Sequence, residues 1–139
     1  MMTIQDVKLL DLPKICDSRG NLSFLENNAQ IPFEIKRVYW IYDVPGGEDR
    51  EAHAFRENQE LIIALSGAFD ILVDDGLSRK KYTLNRSHYG LYIPQGIWRV
   101  MDNFSTNALA LELASTKYNT ADYIIDYEEY RRLREAGEI

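Results

Sequence analysis

The stretch Gly47-Glu-Asp-Arg-Glu-Ala-His53-Ala-Phe55-Arg-Glu-Asn-Gln-Glu60-Leu-Ile-Ile-Ala-Leu-Ser-Gly67 sets an imidazole, an aromatic ring and a carboxylate between two glycines. In a β-strand, side chains two apart share a face, so His53 and Phe55 point the same way. Short strands continue on both sides. Ile35–Asp43 is rich in β-branched and aromatic residues and is ended by Pro45-Gly46-Gly47. Glu60–Leu65 and Ala68–Val73 are separated at Ser66-Gly67, and Asp74-Asp75-Gly76 predicts a tight hairpin turn. Lys80–Leu84, Tyr89–Ile93, Ile97–Met101 and Asn107–Ala114 extend the series. About eight to ten strands in succession indicate an antiparallel sandwich or barrel.

The spacing Gly47-x5-His53-x-Phe55-x4-Glu60-x6-Gly67 resembles the metal-binding signature of the cupin barrel, with Phe55 where a second histidine stands. A second half, Pro94-x-Gly96-x2-Arg99-x3-Asn103, is similar to the other cupin signature, with Arg99 in place of histidine and Gly90 two residues closer to the proline than usual. The resemblance implies an all-β cupin jelly-roll barrel, and a short C-terminal helix is expected after it. Of four metal-ligand positions only His53 and Glu60 keep donors. Zinc sites usually need at least three protein ligands, so no metal is expected. Alternation puts Ile97, Arg99 and Met101 on one face. An inward Arg99 needs a partner, because an unpaired buried charge costs several kcal/mol. Glu60 is that partner, so an Arg99–Glu60 ion pair is expected where the ion would sit. The pair either closes the barrel or also meets a polar substrate.

The chain has 139 residues, enough for one domain spanning residues 1–139 that buries roughly two-thirds of its unfolded surface. A net charge of −6 argues against nucleic-acid partners, and no apolar run approaches the length of a membrane span. The single cysteine, Cys16, suits a reducing compartment, so a cytoplasmic location is expected. In the tail, Thr120 can cap a helix whose stripe is Tyr123, Tyr127, Tyr130 and Leu133, with Arg131, Arg132 and Arg134 at its C-terminal end. Packing is the expected role of that helix. His88 reads as a surface or hairpin residue, and Trp98 as packing, since it faces away from Arg99.

Beyond the barrel signatures, the chain resembles the sugar-nucleotide 3,4-ketoisomerase family, whose members act on dTDP-4-keto-6-deoxyglucose. The resemblance runs through Asp17-Ser-Arg19-Gly20, Ile31-Pro32-Phe33, Ile35-Lys-Arg37-Val-Tyr39, Asp74-Asp75-Gly76, Gly90-Leu-Tyr92, Asn103-Phe-Ser105, Leu113-Ala-Ser115 and Asp122-Tyr-Ile124. It implies a homodimer, a dTDP-linked keto-deoxysugar bound in each barrel, no cofactor, and a place in deoxysugar and surface-polysaccharide synthesis. His53 matches the first histidine of the family's pair, Tyr39 a tyrosine on the barrel face and Arg50 an arginine just before the pair. Arg99 replaces a histidine that follows Trp98.

Moving a ketone to its neighbour needs removal of an α-proton, an enediolate, and return of a proton to the adjacent carbon. A positioned base supplies roughly 10²–10⁴ in rate, and an oxyanion donor about 3–4 kcal/mol. His53 can be the shuttle, and Tyr39 or Arg99 the oxyanion partner. With Phe55 in the pair, only a one-base route remains. Arg19 and Arg50 are candidates for the diphosphate, because guanidinium suits phosphate geometry. Arg37 shares a strand face with Tyr39 and can reach the sugar or phosphate, or serve a structural ion pair. Two alternatives remain at this stage: a dTDP-sugar-binding cupin without turnover, and a 3,5-epimerase-like enzyme.

Overall fold

The computed structural model describes residues 1–139, the side chain of Glu51 apart. Its twelve strands are β1 (Lys8–Asp11), β2 (Lys14–Asp17), β3 (Gly20–Ser23), β4 (Arg37–Tyr42), β5 (Arg50–Phe55), β6 (Glu60–Ser66), β7 (Phe69–Asp74), β8 (Arg79–Leu84), β9 (Tyr89–Ile93), β10 (Trp98–Asp102), β11 (Leu109–Ala114) and β12 (Tyr123–Ile124). One helix follows, α1 (Tyr127–Glu135). Two five-stranded sheets, ordered β1-β9-β6-β11-β4 and β12-β5-β10-β7-β8, face each other, and β2-β3 forms a separate hairpin. Every pairing is antiparallel. This is the jelly roll that the spacing predicts.

The core between the sheets holds Ile41, Ile62, Ala64, Phe69, Ile71, Val73, Leu91, Ile93, Ile97 and Met101. Strand β6 is buried on both faces from Glu60 to Ala64. Ile62 and Ala64 face the other sheet, while Leu61 and Ile63 pack beneath Leu12, Ile31 and Phe33 of the N-terminal third. That explains why β6 reads as a continuous apolar run and not as an alternating one. The signature residues have backbone reasons. Gly67 adopts φ +66°, and a Cβ there would lie 2.7 Å from Ala108 Cα. Asn103 takes φ 54°, and its amide donates to Asp70 at 3.1 Å.

The tail differs from its sequence reading. Asn119, not Thr120, caps a single 3-10 turn over Thr120–Asp122. The chain then pairs as β12 with β5, setting Tyr123 opposite Phe55. The helix starts only after Asp126, whose carboxylate accepts from the Glu128 amide. An aromatic recurrence at helical spacing thus spans a strand and a helix, because pairing with the β5 edge overrides the local period. Tyr130 and Trp98 pack with Ala54 and Ile124 beneath α1, in keeping with the expected packing role.

Candidate functional site

The central strands deliver the site to one interior. On β4, Arg37, Tyr39 and Ile41 point inward and the intervening residues outward, as the burial pattern records. On β6, Glu60 is the first inward residue, and on β10 Arg99 lies directly across from His53 of β5. Arg99 and Glu60 are both fully buried, with Nη1 to Oε1 at 2.7 Å. Glu60 Oε2 accepts a short hydrogen bond from the Tyr39 hydroxyl. Tyr39, Glu60 and Arg99 therefore form one continuous chain, and the expected ion pair is present. Arg99 also donates from Nε and Nη2 to the Ile97 carbonyl at 3.4 and 3.3 Å.

Phe55 occupies the place of the second histidine and is fully buried. The Arg99 guanidinium carbon sits 5.1 Å from its ring centroid, a cation–π distance. The two departures from the metal signature are thus one packing unit.

His53 is 5% exposed, and its Nε2 is buried without a hydrogen-bond partner. Its ring lies 4.6 Å from that of Phe55 and 5.1 Å from that of Tyr123. Burial, reinforced by the positive charges of Arg99 and Arg37, pulls its pKa from 6.5 down to about 3. The imidazole is neutral at pH 7, as a proton acceptor must be. Arg37 is half-buried between the Tyr39 and Tyr118 rings, at 5.3 and 5.7 Å, and reaches the Tyr123 hydroxyl at 3.4 Å. Its Nε has no partner, so a cationic donor remains available beside His53. Glu112, fully buried opposite Tyr39 in the register, lines the same interior.

Not every candidate converges. Arg19 stands at the tip of the β2-β3 hairpin, 88% exposed in its side chain, and pairs with Asp17 at 2.8 Å. Arg50 lines an outer cleft with Trp40, Asp43 and Glu48. Within one chain, neither arginine joins the groups around His53. Neither that cleft nor the two larger ones, one lined by Trp40, Leu65, Leu109 and Leu111 and one by Lys8, Leu10, Ile31 and Tyr92, includes His53. The convergence of titratable groups inside the barrel outweighs cleft size as a marker of the site. Tyr118, Tyr123 and Glu112 were not legible as site residues. Tyr123 was hidden by its helical spacing to Tyr127; Glu112 meets the others through the β4–β11 pairing, and Tyr118 through the irregular segment after β11.

A cupin metal would need three imidazoles and a carboxylate, and these positions supply His53, Phe55, Arg99 and Glu60. A fixed cation at one position and a hydrocarbon ring at another do not fit a divalent ion. Among the described residues no group of three or more His, Cys, Asp or Glu side chains could hold one.

Residues 5–135 match the protein family described as "FdtA: WxcM-like, C-terminal". A TDP-4-oxo-6-deoxy-α-D-glucose-3,4-oxoisomerase from Aneurinibacillus thermoaerophilus is 38% identical over 125 residues, 90% of each chain. The crystal structure of a TDP-quinovose 3,4-ketoisomerase, WlaRB from Campylobacter jejuni, is 46% identical with a TM-score of 0.88, covering 92% of this chain and 98% of that one. A mutant of the 3,4-ketoisomerase QdtA from Thermoanaerobacterium thermosaccharolyticum, in complex with TDP-4-keto-6-deoxyglucose, is 33% identical with a TM-score of 0.92, over 94% and 95%.

Proposed function

Because this chain belongs to the WxcM-like family of FdtA, we propose that it is a TDP-sugar 3,4-ketoisomerase acting on TDP-4-keto-6-deoxyglucose by metal-independent proton transfer. The observation that carries the reading is a neutral His53 with an unpartnered Nε2 inside the barrel, beside the Tyr39–Glu60–Arg99 chain. His53 takes the proton from C3, and the C3–H electron pair forms the C3–C4 double bond. The C4 carbonyl oxygen becomes an oxyanion, to which Tyr39 donates by turning its one hydroxyl proton from Glu60 to the substrate. The O3 proton passes to the O4 oxyanion, which becomes the C4 hydroxyl. The O3 electron pair re-forms a carbonyl at C3, and the C3–C4 double-bond pair takes the proton that His53 returns to C4.

Of the two oxyanion partners open in the sequence, the geometry favours Tyr39. Arg99 is fully buried behind Glu60, whereas Tyr39 is only half-buried and faces Arg37. Arg99 fixes Glu60 in place, and Glu60 holds the Tyr39 hydroxyl at the edge of the site until a substrate oxygen replaces it as acceptor. A base held at about 3 is weak on its own. A bound diphosphate near Arg37 and the growing enediolate both offset the cationic field, so His53 becomes more basic when substrate is present.

We further propose a single cytoplasmic cupin domain that works as a homodimer in deoxysugar synthesis. No helix is long and apolar enough to cross a membrane. Support for the dimer comes from uncovered apolar surface. Ile15 and Leu22 face each other across the hairpin at 56% exposure each, and Val38, Trp40 and Tyr42 stand on the outside of β4 at 48, 57 and 61%. An isolated hairpin is marginal in water, and a second copy gives it cover. Such an assembly is also the one that can bring Arg19 to a barrel.

The test is turnover of TDP-4-keto-6-deoxyglucose in D2O, followed by NMR. Wild-type protein should give the 3-keto isomer, with deuterium at C4 in the fraction of turnovers in which the His53 proton exchanges with solvent before its return. His53→Asn should lose at least two orders of magnitude in rate while keeping its melting temperature. Binding of TDP without any label exchange would instead support the binding module, and exchange at C5 the epimerase.

A further inference from the structure

We propose that Tyr130 and Arg134 of α1 are positioning residues for this site. They hold the β9–β10 turn so that the Ile97 carbonyl orients the Arg99 guanidinium toward Glu60. The inference rests on the role given above to the Arg99–Glu60 pair.

Arg99 uses one nitrogen on Glu60 and two on the carbonyl of Ile97, two residues earlier in its own chain. Where that carbonyl points is decided by the Pro94–Ile97 turn. The turn is pinned at Gly96 from both sides. Its N–H donates to the Phe55 carbonyl at 2.8 Å. Its own carbonyl accepts from the Tyr130 hydroxyl at 2.8 Å and from Arg134 Nη1 at 3.3 Å. Gly96 has φ +80°, a conformation that suits only glycine well, so the turn has little freedom to adjust.

The chemistry of Arg134 points the same way. A buried guanidinium normally pairs with a carboxylate or phosphate. Arg134, 9% exposed, instead spends its donors on backbone carbonyls: Asp75 at 2.8 Å, Met2 at 2.7 Å, Gly96, and Ile139 at 3.5 Å. The nearby Asp75 carboxylate is taken by the amides of Ile4, Leu77 and Ser78. Tyr130 is fully buried and also reaches the Asp74 carbonyl at 3.0 Å. Both side chains therefore tie the β7–β8 and β9–β10 turns to one helix. The β9–β10 turn leads within three residues to Arg99.

The consequence is a path from outside the barrel to its interior: α1, Gly96, Ile97, Arg99, Glu60, Tyr39. Its function is preorganisation, in which a small displacement at the supporting shell costs rate and not substrate affinity.

The experiment is a double-mutant cycle on kcat with Tyr130→Phe, which keeps the buried ring, and Arg99→Lys. Tyr130→Phe should lower kcat on the order of tenfold with KM unchanged, at a temperature where the variant is fully folded. In the Arg99→Lys background the same change should alter kcat less than twofold. Equal losses in both backgrounds would overturn the proposal. A second readout does not depend on activity. In protein labelled with 15N-arginine, the Arg99 Nε–H signal, recognised by its shift from the Phe55 ring, should exchange with solvent at least tenfold faster in Tyr130→Phe and in Arg134→Gln. An unchanged Arg99 signal in both variants would also overturn it. If the wild type shows no isomerase turnover, the functional reading fails, while the exchange data still decide whether α1 positions Arg99.

Discussion

Two arginine–carboxylate pairs in this molecule have almost the same length and opposite meaning. Arg19–Asp17, at 2.8 Å, caps a hairpin turn in open solvent, with side chains 88 and 42% exposed. Arg99–Glu60, at 2.7 Å, is sealed between two sheets at zero exposure. The first lies open to solvent, and water screens it. The second carries the consequences of desolvation: no water screens either charge, so each needs the other, and beside them burial and the Arg99 and Arg37 charges keep His53 neutral. Distance does not separate these pairs, and burial does.

The sharpest way to alter the buried pair is to undo the exchange that created it. The double variant Phe55→His, Arg99→His restores three imidazoles and a carboxylate. It should bind Co(II) with a Kd at or below about 1 μM, equivalent to roughly 8 kcal/mol, seen as visible d–d absorption that wild-type protein lacks. Either single variant should bind far more weakly, since each leaves one position without a donor. Next in size is Glu60→Ala, which strands a buried guanidinium and should cost about 3–5 kcal/mol in urea unfolding. Glu60→Ala with stability unchanged would mean that water solvates Arg99.

A smaller effect concerns pH. His53 titrates near 3 when folded and near 6.5 otherwise. Its neutral burial therefore contributes stability that is fully present above pH 6.5 and is lost as pH falls toward 3, on the order of 1 kcal/mol per pH unit. His53→Asn should flatten the stability profile between pH 4 and 6.5 relative to wild type, measured by urea midpoints. Parallel profiles would show that the imidazole is solvated. The smallest effect belongs to the hairpin: Asp17→Asn should leave the melting temperature unchanged. A clear drop would show that the hairpin pair is covered in solution.

How much of this was legible in the sequence follows from the range of the forces involved. Strand periodicity and turn chemistry are local, and with the signature spacings they disclosed the jelly roll and the inward faces of Arg99, His53 and Glu60. The positions of Gly67 and Asn103 were visible because backbone geometry demands them. Tyr118 and Glu112 were missed because Tyr118 meets Arg37 and Tyr123 only through the segment after β11, and Glu112 comes opposite Tyr39 only when β11 pairs with β4. Tyr123 was misplaced because its spacing to Tyr127 imitates a helix. Arg50, a candidate for the diphosphate, lines an outer cleft beyond a register shift between β5 and β10, a placement that strand periodicity does not encode. The separation of Arg19 from the barrel depends on β2 and β3 forming a sheet of their own with Arg19 at its exposed tip, which no local pattern encodes.

The exchange of an ion for a guanidinium–carboxylate couple is tested most directly by assaying TDP-4-keto-6-deoxyglucose isomerisation on protein dialysed against a strong chelator, with metal content determined on the same sample. The rate should be unchanged at less than about one metal per ten chains, a stoichiometry too low to support catalysis by a bound ion. Activity that disappears with chelation and returns with a divalent cation would contradict it.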